Sequence, residues 1–307
     1  MTIAFIGLGR MGLPMATRLL TAYPGLQVSS ASGRAYAALE GLGARPTDDR
    51  KALAACDTVF LCLPDDQVVE QVLFCAQGLA QWMRPGSTVV DTSTLGYTQT
   101  LAIERRLAAL GVRFMDAPVS GMVQRAVDGT LTVMCGGAQQ VIDDMRPYLQ
   151  AMASNIVHMG PVGTGQLAKL INQMLYNINI AALAEIMPLA CKLGLEAQAI
   201  ATVVNSGTGC SHASTYFLPQ ILAGRFDSSY PLHAAYKDMR HAAHLSAELG
   251  VPLPVLAAAT ATYQTALLQG HGSQDKGAMI KVFEALLGVQ FRSTPAADGP
   301  ACSHPLT

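Results

Sequence analysis

The chain lacks a charge bias: among 307 residues, 20 Lys and Arg stand against 21 Asp and Glu, a formal net charge of −1. Nucleic acids and acidic membrane surfaces recruit proteins through clustered positive charge. Neither is an expected partner, and a small molecule is. Paired cysteines are also lacking. Cys56, Cys62, Cys75, Cys135, Cys191, Cys210 and Cys302 are odd in number, scattered, and form no CxxC. That excludes a zinc-ribbon framework and fits reduced thiols in a cytoplasmic protein.

Charged residues make up only 13% of the chain and hydrophobic ones 50%, yet no run reads as a membrane span. The most apolar one, INIAALAEIMPLACKLGL, is interrupted by Glu185, Pro188 and Lys192, where a spanning helix needs about 20 nearly uncharged residues. It is expected to be a buried core or interface helix. The N-terminus MTIAFIGLGRMGLPMATRLL has no basic segment before its apolar run and no small-residue cleavage pattern, so it does not read as a signal peptide. Internal repeats and low-complexity blocks are absent as well.

The first half alternates short apolar runs (TIAFIGLG, TVFLCLP, STVVDTS, VRFMDAPVS, LTVMCGG) with helical stretches such as MGLPMATRLLTAY and GYTQTLAIERRLAALG. Strand and helix in alternation predict an α/β fold with a doubly wound parallel sheet. After about Gly160 the pattern is helical throughout, from GTGQLAKLINQ to AMIKVFEALLG. The expected organisation is a dinucleotide-binding domain over 1–162, an all-helical domain over 163–291 begun by a long helix, and a flexible tail over 292–307.

The first strand runs into GLGRMG, which places Gly7, Gly9 and Gly12 at GxGxxG spacing around Arg10 and Met11, ahead of a helix. Glycines suit this position because the turn is tight, the backbone must approach a pyrophosphate, and the helix N-terminus offers N–H groups. An NAD site would carry Asp or Glu at the end of the second strand. The strand here is LQVSSASGR, with Ser30, Ser32 and Arg34 in that place. Hydroxyls and a guanidinium suit a 2′-phosphate, so NADP is the expected cofactor, with NAD as the alternative.

DAPVSG places Ser120 and the N–H groups around Gly121 after an apolar strand, where open α/β sheets bind ligands. A hydroxyl beside such N–H groups suits a carboxylate; a plain strand-to-loop turn has the same pattern. In GQLAKLINQMLY, helical spacing puts Gly165, Lys169, Asn172, Gln173 and Tyr176 on one stripe. An ammonium on a rigid helix can protonate an alkoxide formed by hydride transfer; a snorkelling surface lysine is the plainer reading. His241 and His244 lie at i,i+3 without a carboxylate or cysteine ligand set, and no metal site is expected.

Taken together, FIGLGRMGLPMATRL, DAPVSGMVQRAVDGTLTVMCGG, GQLAKLINQ and YPLHAAYKDMRHA occur in the order found in the β-hydroxyacid dehydrogenases, which the chain resembles over about residues 3–290. The resemblance implies an NAD(P)-dependent oxidoreductase that interconverts a short 3-hydroxy acid and its semialdehyde. It makes Lys169 the catalytic acid/base, Asn172 a substrate-positioning amide, and Ser120 with Gly121 part of the substrate carboxylate site. Leu63, Pro64 and Thr94 would line the nicotinamide and ribose, with Lys237 near the nicotinamide and Asp238 a structural partner. A homodimer or homotetramer is implied too.

Three departures stand out. Met122 occupies the place of a second glycine after VSG, where it crowds the carboxylate site or walls it with an apolar side chain. NQ after the lysine matches only a looser version of the pattern. The second strand ends in neither the Asp of NAD users nor an Asn-Arg-Thr. Imine reductases share the scaffold but usually replace the lysine, and a silent nucleotide sensor would have lost both Lys169 and Asn172.

Overall fold

A computed structural model describes residues 2–293. In chain order the strands are β1 (Ile3–Ile6), β2 (Gln27–Ser29), β3 (Arg45–Pro46), β4 (Thr58–Leu61), β5 (Thr88–Asp91), β6 (Arg113–Asp116), β7 (Val119–Ser120), β8 (Leu131–Gly136) and β9 (Ala153–Gly160). The helices are α1 (Gly12–Ala22), α2 (Tyr36–Glu40), α3 (Arg50–Ala54), α4 (Asp66–Phe74), α5 (Tyr97–Ala108), α6 (Met122–Asp128), α7 (Gln139–Gln150), α8 (Thr164–Lys192), α9 (Ala197–Ser206), α10 (His212–Leu222), α11 (Leu232–Leu249), α12 (Pro254–Leu268) and α13 (Ile280–Leu287). The chain forms two compact units that divide between Ile171 and Asn172.

In the first unit the sheet order is β3-β2-β1-β4-β5-β6-β8-β7, with β9 on β8. The pairs from β3 across to β6 are parallel. Strand residues alternate between faces, and both faces are covered. Ile3, Phe5, Phe60, Val90 and Met115 join α1 and α7 in one apolar cluster, whereas Ala4, Ile6, Val59, Leu61, Val89 and Phe114 join α4 and α5 in the other. The doubly wound arrangement read from the sequence is present.

The sheet is nonetheless mixed. β8 runs antiparallel to β6 and β7, because the link from β7 to β8 holds only the seven-residue α6, too short for a helical crossover between parallel strands. VRFMDAPVS is likewise two strands, broken at Ala117–Pro118.

The second unit is helical. Ser211 and Ser214 form a capping box at the start of α10, Pro254 opens α12, and Phe217, Leu232, Met239, Tyr263 and Ile280 are fully buried. Phe291 is buried, and the Arg292 guanidinium donates to Glu284 Oε1 at 2.6 Å. The expected tail beyond Ser293 lies outside the described residues.

α8 is 29 residues long, and by length and composition it is apolar enough to cross a membrane. Only 39% of its most apolar 18-residue window is buried, so of the two alternatives expected, a buried core helix or an interface helix, core burial describes one face only. Ile171, Leu175, Ile186, Leu189 and Leu193 are 45–71% exposed. At 100° per residue the four that lie on α8, Ile171, Leu175, Ile186 and Leu189, fall within about 60° of arc and form one apolar stripe, and Leu193 follows the helix's last residue.

Candidate active site

Parallel strands bring their carboxyl ends to one edge, and the neighbours β1 and β4, where the strand order reverses, are the switch point at which open α/β sheets bind ligands. The glycine loop follows β1, Leu63 and Pro64 follow β4, Thr94 follows β5, and Ser120 with Gly121 follows β6 through β7.

The three loop glycines answer to different constraints. A Cβ on Gly7 would overlap the Cys62 carbonyl oxygen, and one on Gly12 would overlap the Gly7 carbonyl oxygen, so strand and helix packing dictates both. A Cβ on Gly9 would meet nothing within 4 Å. That open space is what the backbone's approach to a pyrophosphate requires, and the loop fits a dinucleotide. Arg10 is exposed and Met11 half-buried.

At the end of β2, the Tyr36 hydroxyl accepts from Ser30 N–H at 2.8 Å and lies 2.6 Å from Asp48 Oδ1. Burial, then Asp48, raise the Tyr36 pKa, so the phenol keeps its proton. The turn is thereby fixed, with Ser32 and Arg34 exposed beyond it.

The N-terminus of α8 is anchored by Asp116, the last residue of β6. Gly163 N–H donates to its Oδ1 at 2.7 Å and Gln166 N–H to its Oδ2 at 2.8 Å. A carboxylate there faces the positive end of a long helix dipole. Gly165 permits the approach, because a Cβ would overlap the Met134 carbonyl oxygen and sit 2.7 Å from Asp116 Oδ2. The Gln166 side chain, 2% exposed, accepts from Leu95 N–H at 3.1 Å and donates to the Ser93 carbonyl at 2.8 Å. Leu63 N–H in turn donates to Ser93 Oγ at 2.9 Å. Lys169, one turn on from Gln166 and 8% exposed, is therefore on a helix tied to the loops after both β4 and β5.

Asn172 is three positions further along α8 and exposed. In the second unit, Gln173 donates to Asp238 Oδ2 at 2.8 Å and to the Tyr230 hydroxyl at 3.1 Å. Lys237 is half-buried on α11. His244 Nε2 is 3.2 Å from Glu248 on its own helix, and among the described residues no three His, Cys, Asp or Glu converge as a metal site.

Residues 2–160 match the family described as the NAD binding domain of 6-phosphogluconate dehydrogenase, and residues 163–283 the one described as the NAD-binding of NADP-dependent 3-hydroxyisobutyrate dehydrogenase. The chain is 33% identical over 289 residues to 2-(hydroxymethyl)glutarate dehydrogenase of Eubacterium barkeri, covering 94% of this chain and 96% of that one. It is 33% identical over 294 residues to NAD-dependent L-serine dehydrogenase of Pseudomonas aeruginosa, covering 93% and 99%. The chain belongs to the 3-hydroxyisobutyrate dehydrogenase family. A solved 3-hydroxyisobutyrate dehydrogenase from Salmonella typhimurium superposes with a TM-score of 0.86 at 30% identity, over 92% of this chain and 99% of that one. The 3-hydroxyisobutyrate dehydrogenase family consists of nicotinamide-dependent oxidoreductases acting on small hydroxy acids, so a nicotinamide cofactor and the reaction class expected from the sequence stand.

Two buried carboxylates lie side by side in this family member, Asp91 being paired with Asp116 in the β5–β6 register. Burial pushes each up to about 6. Asp116 has backbone N–H donors on both oxygens, whereas Asp91 Oδ2 has no hydrogen-bond partner among the described residues, so nothing offsets the burial of that oxygen. A folded-state pKa above the unfolded value means that folding is opposed by ionisation. Stability is full below about pH 4, falls as pH rises towards 6, and stays lower above. Asp91→Asn is expected to flatten that fall: its stability relative to the parent should rise by about 1–3 kcal/mol between pH 4 and pH 7, read by urea denaturation at the two pH values. A constant gap would refute it.

Proposed function

We propose that the protein is an NADP-preferring dehydrogenase that interconverts a β-hydroxymethyl carboxylate, HOCH2–CH(R)–COO−, with the corresponding semialdehyde. That unit is common to the printed substrates of the relatives, namely 2-(hydroxymethyl)glutarate, L-serine and 3-hydroxyisobutyrate. The reading is carried by Lys169, buried on a helix whose start is fixed to the loop after β5 and to the last residue of β6, with the loop after β4 joined through Ser93.

A bound nicotinamide would supply the acceptor for the hydride that leaves the hydroxymethyl carbon during oxidation. In that direction Lys169 takes the hydroxyl proton, and in reduction its ammonium returns a proton to the emerging alkoxide. Ser120 Oγ and the N–H groups near Gly121 hold the substrate carboxylate, and Asn172 orients the hydroxyl. Gly9 leaves room for the pyrophosphate, while Ser32 and Arg34 hold the 2′-phosphate. Because Asp48 puts a negative charge at the same end of β2, the NADP preference rests on Arg34.

The test is the initial rate of NADPH and NADH oxidation with tartronate and methylmalonate semialdehydes, and with succinate semialdehyde, whose carbonyl lies one carbon further from the carboxylate, as a comparison. Turnover favouring NADPH is expected, and Arg34→Ala should cut the NADPH:NADH ratio of kcat/KM by about tenfold, a 1.4 kcal/mol loss of ionic contact. Absence of turnover with tartronate and methylmalonate semialdehydes would sink the reaction class, and an unchanged ratio the role of Arg34.

The exposed stripe on α8 supports a homodimer. An apolar stripe can meet its own two-fold copy, which makes a closed, isologous contact. Light scattering should give twice the chain mass, and Ile186→Glu should halve it; a monomeric parent protein would refute the dimer.

A further inference from the structure

Met122 has φ +62°, the sole non-glycine residue in the left-handed region among the described residues. A β-carbon is crowded by the carbonyl oxygen in that conformation, which any glycine would adopt freely. The residue directly follows Ser120 and Gly121 and begins α6. Burial in the core does not account for it: Met15, Met115, Met145 and Met152 are 0–1% exposed, whereas Met122 is half-buried. Strain kept at a ligand-binding loop marks a side chain retained for what it contacts there.

We propose that Met122 is the specificity-determining residue for the substituent R of HOCH2–CH(R)–COO−, and that it selects a short alkyl group over a charged one. This rests on the reading that Ser120 and Gly121 hold the substrate carboxylate. With the carboxylate held there, the α-carbon is one bond away, within reach of the next side chain along. A thioether packs well on a methyl or ethyl group but has no donor and only a weak acceptor. An ammonium or carboxylate pressed against it is stripped of water with nothing returned.

The experiment compares kcat/KM for oxidation of 3-hydroxyisobutyrate, L-serine and 2-(hydroxymethyl)glutarate by the parent, Met122→Gly and Met122→Asn, alongside urea midpoints. Asparagine tolerates the left-handed region and adds a donor and an acceptor. The parent should favour 3-hydroxyisobutyrate. In both variants its advantage over the charged substrates in kcat/KM should fall at least tenfold while the NADPH dissociation constant stays unmoved, and Met122→Gly should unfold at a higher midpoint. A parent that favours a charged substrate overturns the inference, as does a raised midpoint with unchanged ratios. A parent inactive on all three overturns the carboxylate-site reading as well, so the two failures are distinguishable.

Discussion

Lys169→Met should lower kcat by about 10²–10⁴-fold, the usual contribution of a positioned proton donor, while the NADPH dissociation constant changes by less than about threefold. The split is expected because Lys169 is 8% exposed on α8, whereas the glycine loop that fits the cofactor follows β1. Methionine keeps the length and apolar stem of the buried side chain, so a general loss of folding is not the expected cause. Stopped-flow measurement of hydride transfer, with cofactor binding followed by nicotinamide fluorescence, separates the two. A variant with parental kcat would remove Lys169 from the chemistry.

Gly165→Ala should be the more damaging change to the fold. Its Cβ would overlap the Met134 carbonyl oxygen and lie 3.0 Å from Gly136 N, and backbone atoms in a paired strand cannot give way as a flexible side chain can. The first turn of α8 has to move away from β8, which weakens the hydrogen bonds from Gly163 and Gln166 to Asp116 and carries Lys169 out of register. A loss of about 1–3 kcal/mol in urea denaturation is expected from overpacking, with kcat reduced about 100-fold by misplacement of the order of 1 Å. Full activity with reduced stability would show that Lys169 is positioned by something other than this contact.

The parts of the fold that were legible in the sequence are those whose residues are fully buried or conformationally special. IAFI is buried along its whole length, and its glycine loop has fixed spacing. β9 escaped because it shows little apolar burial: only Ala153, of its eight residues, is fully buried. Lys169 stood out as a charge in an apolar helix, but its supports did not. Asp116 holds Gly163 from 47 positions away, and Gln166 reaches Ser93 across 73; no local pattern encodes a hydrogen bond of that span. Lys276 carried no local signal either. It is fully buried, with its amine 2.9 Å from Asn177 Oδ1 and 3.8 Å from the Tyr176 ring centroid.

The empty space over Gly9 separates two kinds of selection that usually travel together. Gly7 and Gly12 are demanded by the folded chain itself, so a mutant library sorted only for intact protein would purge changes at both. The same library would let substitutions at Gly9 through, since a Cβ there strikes no atom of the chain. Only a sort on retained nicotinamide would recover that glycine.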